Sequence, residues 1–333
     1  GEVITATAAS VSGVPTPTTA FQWQRSANGS TAWANISGAT SSTYTLVSAD
    51  DTKYVRAVQT STNVIGTDSA NSAASVQIAS GDADAQAFIT AASITNSTQQ
   101  SAIDTLVVDL KTAGVWTKLK AIYPIVGGTA HSHKFNLKDP RDLDAAFRLQ
   151  FTSGWTHSAN GATPNGVSAY ADTNLNLLSN YGTLFDNHFS IYYRTSNVRG
   201  EKIGASGSDY KAGMSASISY SNLNTYNDNM GRTAVSNSSY GTSDAYHLSS
   251  ILSTSQKLYR NAVLKISGNT ISSLTYPSAN FFLGAYNNNN IAPNFFSDRE
   301  ISIATIGDGL TDTESSDLYD AVQAFQTTLS RQV

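Results

Sequence analysis

The chain has no cysteine among its 333 residues, four glutamates, and a charged fraction of only 13%. Without cysteine there is no disulfide and no thiolate metal site, and stability must come from core burial and subunit contacts. Twenty basic residues face 24 acidic ones, a net charge of −4. No basic run is present to neutralise several phosphates at once, so nucleic acid is excluded as a partner. No apolar run approaches the roughly 18 residues that span a bilayer, and no signal peptide is visible, so no membrane partner is expected. The chain opens on Gly1 rather than Met, inside a strand-like run, and reads as a processed or truncated part of a longer polypeptide. What fills the gap left by charge is Ser, Thr, Asn, Ala and Gly. That composition predicts the neutral, hydroxyl-rich exterior of extracellular β-proteins and virion parts.

Short alternating runs separated by turn residues occupy positions 1–80: Val3–Thr7, Ala20–Gln24, Thr43–Leu46 and Tyr54–Val58. This spacing predicts a β-sandwich. Trp23 is expected to plug its core, and Asp50-x-Thr52-x-Tyr54 to form a corner in which a buried Tyr54 hydroxyl bonds back to the backbone. The stretches VSGVPTPTTAFQWQRS and ISGATSSTYTLVSADDTKYVRAV resemble an immunoglobulin-like domain of the type repeated in bacterial surface proteins and phage virion proteins. Two positions depart from that pattern. Arg56 stands where an antibody domain has its second cysteine, and Thr52 replaces the glycine common at the corner. The resemblance implies a spacer and adhesion module without a fixed ligand.

Composition shifts at Gly81. Asp82–Ala92 reads as a short helix. A longer one opens at Asn96, with Ile103, Leu106, Val107 and Leu110 on one stripe and Gly114 as its stop. Strand-like runs follow at 119–126, 146–151, 189–194, 214–220, 245–252, 257–266, 281–286 and 301–306. Thr311 to Glu314 is a capping box opening a last helix, with Leu318, Val322, Phe325 and Leu329 on one side. The predicted class is all-β. An immunoglobulin-like β-sandwich (1–80) leads through a helical connector (81–115) to a two-sheet jelly roll (116–333) with a C-terminal helix.

KLYRNAVLKISGN at 257–269 resembles the hairpin of concanavalin A-like and laminin G-like sandwiches, and FFLGAYNNNN with the residues after it resembles their last strands. Ala262 stands where those hairpins have glycine, so a longer turn or one of another type is expected. The block 123–166, with Asp84–Thr90 upstream and 307–329 downstream, resembles an arrangement found in tailed-bacteriophage structural proteins, over roughly 82–333. That resemblance implies a virion part of fibre, decoration or tail-associated type, displayed on the particle surface, with other virion proteins and copies of itself as partners.

The chemistry-bearing residues concentrate in 123–166. His131-x-His133 on a strand would turn both imidazoles to one face, with Asp139, Asp142 and Asp144 nearby. No third ligand sits at a familiar metal spacing, and Asp139-Pro140-Arg141-Asp142 reads as a turn with self-paired charges. The expectation is therefore no metal, no cofactor and no catalytic residue, with calcium in a loop as the minor alternative. Glycoside hydrolysis needs two carboxylates on facing positions, and Glu2, Glu201, Glu300 and Glu314 form no such pattern. The ligand candidates are Trp155, His157, Tyr286 and Asn287, since aromatic faces stack on sugar rings and amides match sugar hydroxyls. The sequence thus reads as a non-enzymatic virion structural protein that adheres to glycans. A secreted or surface bacterial lectin-like adhesin is the alternative, and a polysaccharide depolymerase is a third, weaker one.

Overall fold

The computed structural model describes residues 2–78, 81–181, 186–195, 201–206, 213–219, 224–227, 244–253, 255–269, 278–288 and 292–333. Chain contacts divide it into two compact units, Gly1–Asp82 and Ala83–Val333.

In the first unit the strands are β1 (Val3–Thr5), β2 (Thr18–Ser26), β3 (Ala34–Asn35), β4 (Thr43–Thr45), β5 (Tyr54–Asn63) and β6 (Gly66–Asn71). They form a four-stranded sheet, β3-β2-β5-β6, and a two-stranded one, β1-β4. Burial along β5 alternates from Tyr54 to Thr60, as a sheet covered on one face requires. Trp23 is buried as expected and donates its indole N–H to the Ser41 carbonyl. The corner is built differently from the expectation. Its bonded phenol is Tyr44, which donates to Asp50 at 2.8 Å. Fully buried Asp50 also accepts from Val47 N–H and Arg25 Nε. Tyr54 is half-buried and lays its ring against Gly29. Thr52 carries the left-handed conformation (φ 59°) that the glycine of the pattern would adopt without strain.

The second unit runs α1 (Ala83–Ala91), α2 (Ser97–Thr112), β7 (Leu119–Tyr123), α3 (Ala130–His133), β8 (Gln150–Phe151), β9 (Trp155–Ser158), β10 (Gly161–Pro164), β11 (Ala171–Asn176), α4 (Leu177–Asn180) and β12 (Asp186–Tyr193). It continues through β13 (Glu201–Ser206), β14 (Gly213–Ser219), β15 (Asn224–Asn227), β16 (Ala245–Leu252), β17 (Ser255–Arg260) and β18 (Val263–Asn269). The last elements are β19 (Asn280–Leu283), β20 (Tyr286–Asn288), β21 (Ala292–Asn294), β22 (Ile301–Gly307) and α5 (Asp312–Thr328). An eight-stranded sheet follows the order β18-β17-β16-β12-β22-β10-β9, with β7 also paired to β22. Facing it are β19-β11-β8 and the group β15-β14-β13-β20-β21.

Two cores result. Between the sheets lie Tyr123, Phe189, Ile191, Leu175 and Phe281. On the other face of the large sheet, Ile122, Tyr192, Leu248 and Ile303 meet the stripes of α2 (Ile103, Leu106, Val107, Leu110) and α5 (Leu318, Val322, Phe325). Covered on both sides, β22 is buried at all seven positions. The architecture is broadly that of a β-sandwich carrying a helical layer, and the helices of 81–115 belong to that layer and its core. The C-terminal helix expected from the sequence is part of the same layer. Strands apolar on both faces need cover on both faces. The caps form as the sequence predicts: Asn96 accepts from Gln99 N–H, and Thr311 and Glu314 cap α5 reciprocally.

The β17–β18 turn corrects another expectation. Arg260 pairs with Val263, so the loop is two residues long, and Asn261 and Ala262 both have positive φ (47° and 60°). This is the left-handed pair of a type I′ turn. Asn261 holds it by donating its N–H to the Tyr246 carbonyl and accepting the Tyr246 N–H on its side chain. Ala262 bears the remaining strain of roughly 1–2 kcal/mol, against roughly 0.5–1 kcal/mol for the flexibility of a glycine. Ala262→Gly is expected to raise the stability of the second unit by about 0.5–1 kcal/mol. An unchanged or lowered urea midpoint would contradict this.

Candidate functional site

β9 is an edge strand, and its residues 155 and 157 share a face. Trp155 and His157 are both half-buried there. Phe151, arriving from β8, meets Trp155 edge-to-face at 5.1 Å and His157 edge-to-face at 4.8 Å. His157 stacks beside Trp155 at 6.4 Å. Gly284 closes the site from behind. Its φ of 80° and its missing Cβ, which would sit 2.9 Å from the indole, let the backbone approach the ring. The Trp155 indole nitrogen is buried without a hydrogen-bond partner.

Behind this cluster lies a second imidazole. Nδ1 of His133 is 2.9 Å from Nδ1 of His157, and Nε2 of His133 accepts the Gly128 N–H at 3.1 Å. These contacts fix the tautomers. With Nε2 accepting, neutral His133 carries its proton on Nδ1 and donates it to His157, whose own proton then sits on Nε2. Burial is the main cause that lowers the His133 pKa to about 3, with His157 and Arg331 adding to it. Burial also lowers that of His157. Both rings are thus neutral at pH 7, and His157 presents an N–H donor beside two aromatic rings.

The His-x-His reading is overturned. Residues 130–133 form a helical turn capped by Thr129 and Ser132, not a strand, so positions 131 and 133 diverge. His131 is exposed against the edge of Phe135, while His133 is buried. The aspartates are engaged by cations. Asp139 holds Arg141 through two bonds of 2.7 and 2.5 Å. Asp142 accepts from Lys134 and Arg148, each at 2.6 Å, and Asp144 accepts from Arg148 and Gln150. Hydrogen bonds from these cations hold the Asp139 and Asp142 carboxyls below their usual range. Among the described residues no group of three His, Asp or Glu is placed to hold a metal ion.

Tyr286 and Asn287 lie in β20 rather than in an open loop. They are buried, Tyr286 edge-on to Phe295 and Asn287 donating to the Asn280 carbonyl. Asn289 and Asn290 fall outside the described residues. Structure therefore joins Trp155 to His157 and leaves Tyr286 and Asn287 in the second sheet. It also adds Phe151, which the sequence did not single out, and His133, which the sequence had paired with His131 instead. The same-strand spacing of 155 and 157 was readable, but the pairing of positions 133 and 157 is a tertiary contact without a local signal.

Of the glutamates, Glu300 pairs with Arg194 at 2.6 Å, and Glu314 joins the α5 cap to Lys118 at 2.6 Å. Glu2 is exposed in the first unit, and the Glu201 side chain lies outside the described atoms. The site around Trp155 offers flat apolar rings and a neutral donor, a combination suited to stacking on a sugar ring.

Residues 2–80 match a domain family of unknown function, DUF8696. No curated protein matches the chain. Among solved structures the chain is similar to a Trypanosoma rangeli sialidase in complex with sialic acid, with 10% identity, a TM-score of 0.43, and coverage of 80% of this chain and 42% of that one. It is also similar to the binding domain of botulinum neurotoxin serotype D, with 10% identity, a TM-score of 0.38, and coverage of 62% and 52%. A third is botulinum neurotoxin type C, described as entering cells through interaction with two ganglioside molecules, with 13% identity, a TM-score of 0.40, and coverage of 64% and 53%. The chain thus spans from about four tenths to about half of the length of these proteins.

Proposed function

We propose that the chain is a non-catalytic adhesion module that holds glycans at the Phe151–Trp155–His157 cluster. The observation that carries this reading is the neutral aromatic face itself: three half-buried rings, an imidazole N–H, and no carboxylate among its contacts. Stacking and a few oriented polar groups are what sugar recognition needs, whereas most glycosidases use two carboxylates flanking the bond. The first unit, read as an immunoglobulin-like spacer, and the second, read as a concanavalin-like lectin scaffold, fit a protein displayed extracellularly. The setting favoured is a lectin-like surface adhesin. A place on a phage particle, among other virion proteins and in a homo-oligomer, rests on the sequence resemblance of 82–333.

The test is a glycan array probed with the full chain and with Trp155→Ala. Glycan binding is expected for the wild type and a loss of about tenfold or more for the variant, the usual effect of removing an anchoring aromatic. An unchanged helical signal at 222 nm would show that the variant still folds. No glycan bound at high protein concentration would end the reading. Release of reducing ends from a bound polysaccharide would replace it with a depolymerase.

A further inference from the structure

The four-stranded sheet of the first unit has an outer face opposite the buried positions of β5. Register and alternation place Tyr54, Arg56, Val58 and Thr60 of β5 on it, with Gln22 and Gln24 of β2 opposite and Ser69 of β6 alongside. Arg56 is the one charged residue among these outward positions, and the rest are amides, hydroxyls, one phenol and a valine. Its guanidinium is built into a ladder. Nε donates to Gln24 Oε1 at 2.9 Å, Gln24 Nε2 donates to Asn35 Oδ1 at 2.9 Å, and the guanidinium carbon lies 4.3 Å over the Trp33 ring. Arg25, Arg141, Arg148 and Arg194 each hold a carboxylate. Arg56 holds none among the described residues.

We propose that this face binds a carboxylated polysaccharide of uronate type, with Arg56 as the carboxylate receptor. A guanidinium placed over an indole and fixed through Nε has its Nη edge left to meet a carboxylate, whose two oxygens match a planar edge of parallel N–H donors. Among the described residues no acidic side chain stands on the face to oppose an anion. One cation surrounded by hydroxyls and amides matches a ligand with one charge per ring and many hydroxyls. An acidic peptide, by contrast, would bring carboxylates without the ring hydroxyls that the amides and hydroxyls of this face can bond. This site lies on the first unit and is independent of the reading given to Trp155.

The test is binding of the full chain to immobilised polygalacturonate, with neutral dextran and polyglutamate as comparators. Polygalacturonate is expected to bind and the other two to bind at least about tenfold more weakly. Arg56→Gln, which removes the charge and retains an amide, is expected to lose about tenfold or more, consistent with one charge-assisted hydrogen-bond pair. Trp33→Leu, which removes only the stack, should weaken it several-fold and serves should Arg56→Gln fail to fold. Equal binding by wild type and Arg56→Gln, absence of polygalacturonate binding, or equal retention by polyglutamate would each overturn the proposal.

Discussion

Replacing Arg331 by Met is expected to cost the second unit about 3–5 kcal/mol, because several buried acceptors lose their donor at about 1–3 kcal/mol each. Arg331 follows α5 and is completely buried. Its Nε donates to Gln326 Oε1 at 2.9 Å. Nη1 reaches the Ile125 carbonyl at 2.9 Å, and Nη2 reaches those of Pro124 and Ser302 at 3.3 and 3.4 Å. The guanidinium also lies over the Phe325 ring, and the Arg331 carbonyl accepts from Arg194, itself paired with Glu300. Met would keep the aliphatic packing and remove every donor. Carbonyls in the 124–125 loop would then be left buried without partners, each worth about 1–3 kcal/mol.

The loop amplifies the loss because it is strained. Ile125 has φ 36°, a poor conformation for a β-branched residue. Gly127 has φ 95°, and a Cβ there would sit 2.6 Å from the Ser132 side chain. Urea unfolding followed at 222 nm reports the second unit, which contains the α-helices of the described residues. A loss below about 1 kcal/mol would show that the carbonyls find water and that Arg331 is dispensable. Arg331→Lys should fall between, since one ammonium can satisfy only part of this set of acceptors.

These residues show what was legible. The stripes of α2 and α5 and the caps at Asn96 and Thr311 rest on local spacing, and local spacing survives in sequence; the hairpin at 257–269 was carried by a motif resemblance. Trp23 as a core plug belongs to the same kind. The residues that hold the 123–128 loop do not. Arg331 meets Ile125 across 206 positions, and His133 meets His157 across 24. Neither partner has a periodic signature, so the block 123–166 looked like a reaction centre or a family mark. In three dimensions its histidine and glycines shape one strained loop, and its aspartates neutralise adjacent Lys and Arg. The His-x-His reading failed for a local reason. Thr129 and Ser132 form a reciprocal cap, and that cap turns the segment into helix.

Acid should destabilise the second unit well before its carboxylates titrate. His188 is fully buried in β12, with Nδ1 donating to the Asp308 carbonyl at 2.6 Å and Nε2 placed to accept from the Thr305 hydroxyl at 3.2 Å. Burial lowers its pKa from 6.5 to about 4, and that of His133 from 6.5 to about 3. Charging His133 would also set two N–H groups against each other across the His157 contact. Both groups are bases whose folded pKa lies below the unfolded one, so between about 6.5 and 4 the unfolded chain binds protons that the folded chain refuses. Their stability contribution is complete above pH 6.5 and drains as pH falls towards the folded values. At pH 5 each histidine then accounts for about 2 kcal/mol of lost stability, by the 1.36 kcal/mol that corresponds to one pKa unit. Asp172 acts with the opposite sign, since burial raises its carboxyl, and Asp139 and Asp142 enter only at lower pH. His157, also lowered by burial, adds with the same sign, so the expected result is a fall of at least roughly 4 kcal/mol in unfolding free energy between pH 7 and pH 5, read at 222 nm in urea. His188→Gln should be less stable at pH 7 yet lose less on acidification, because its share of the proton uptake is gone. A wild-type change under 1 kcal/mol, or a variant with the wild-type slope, would refute the assignment of neutral buried histidines.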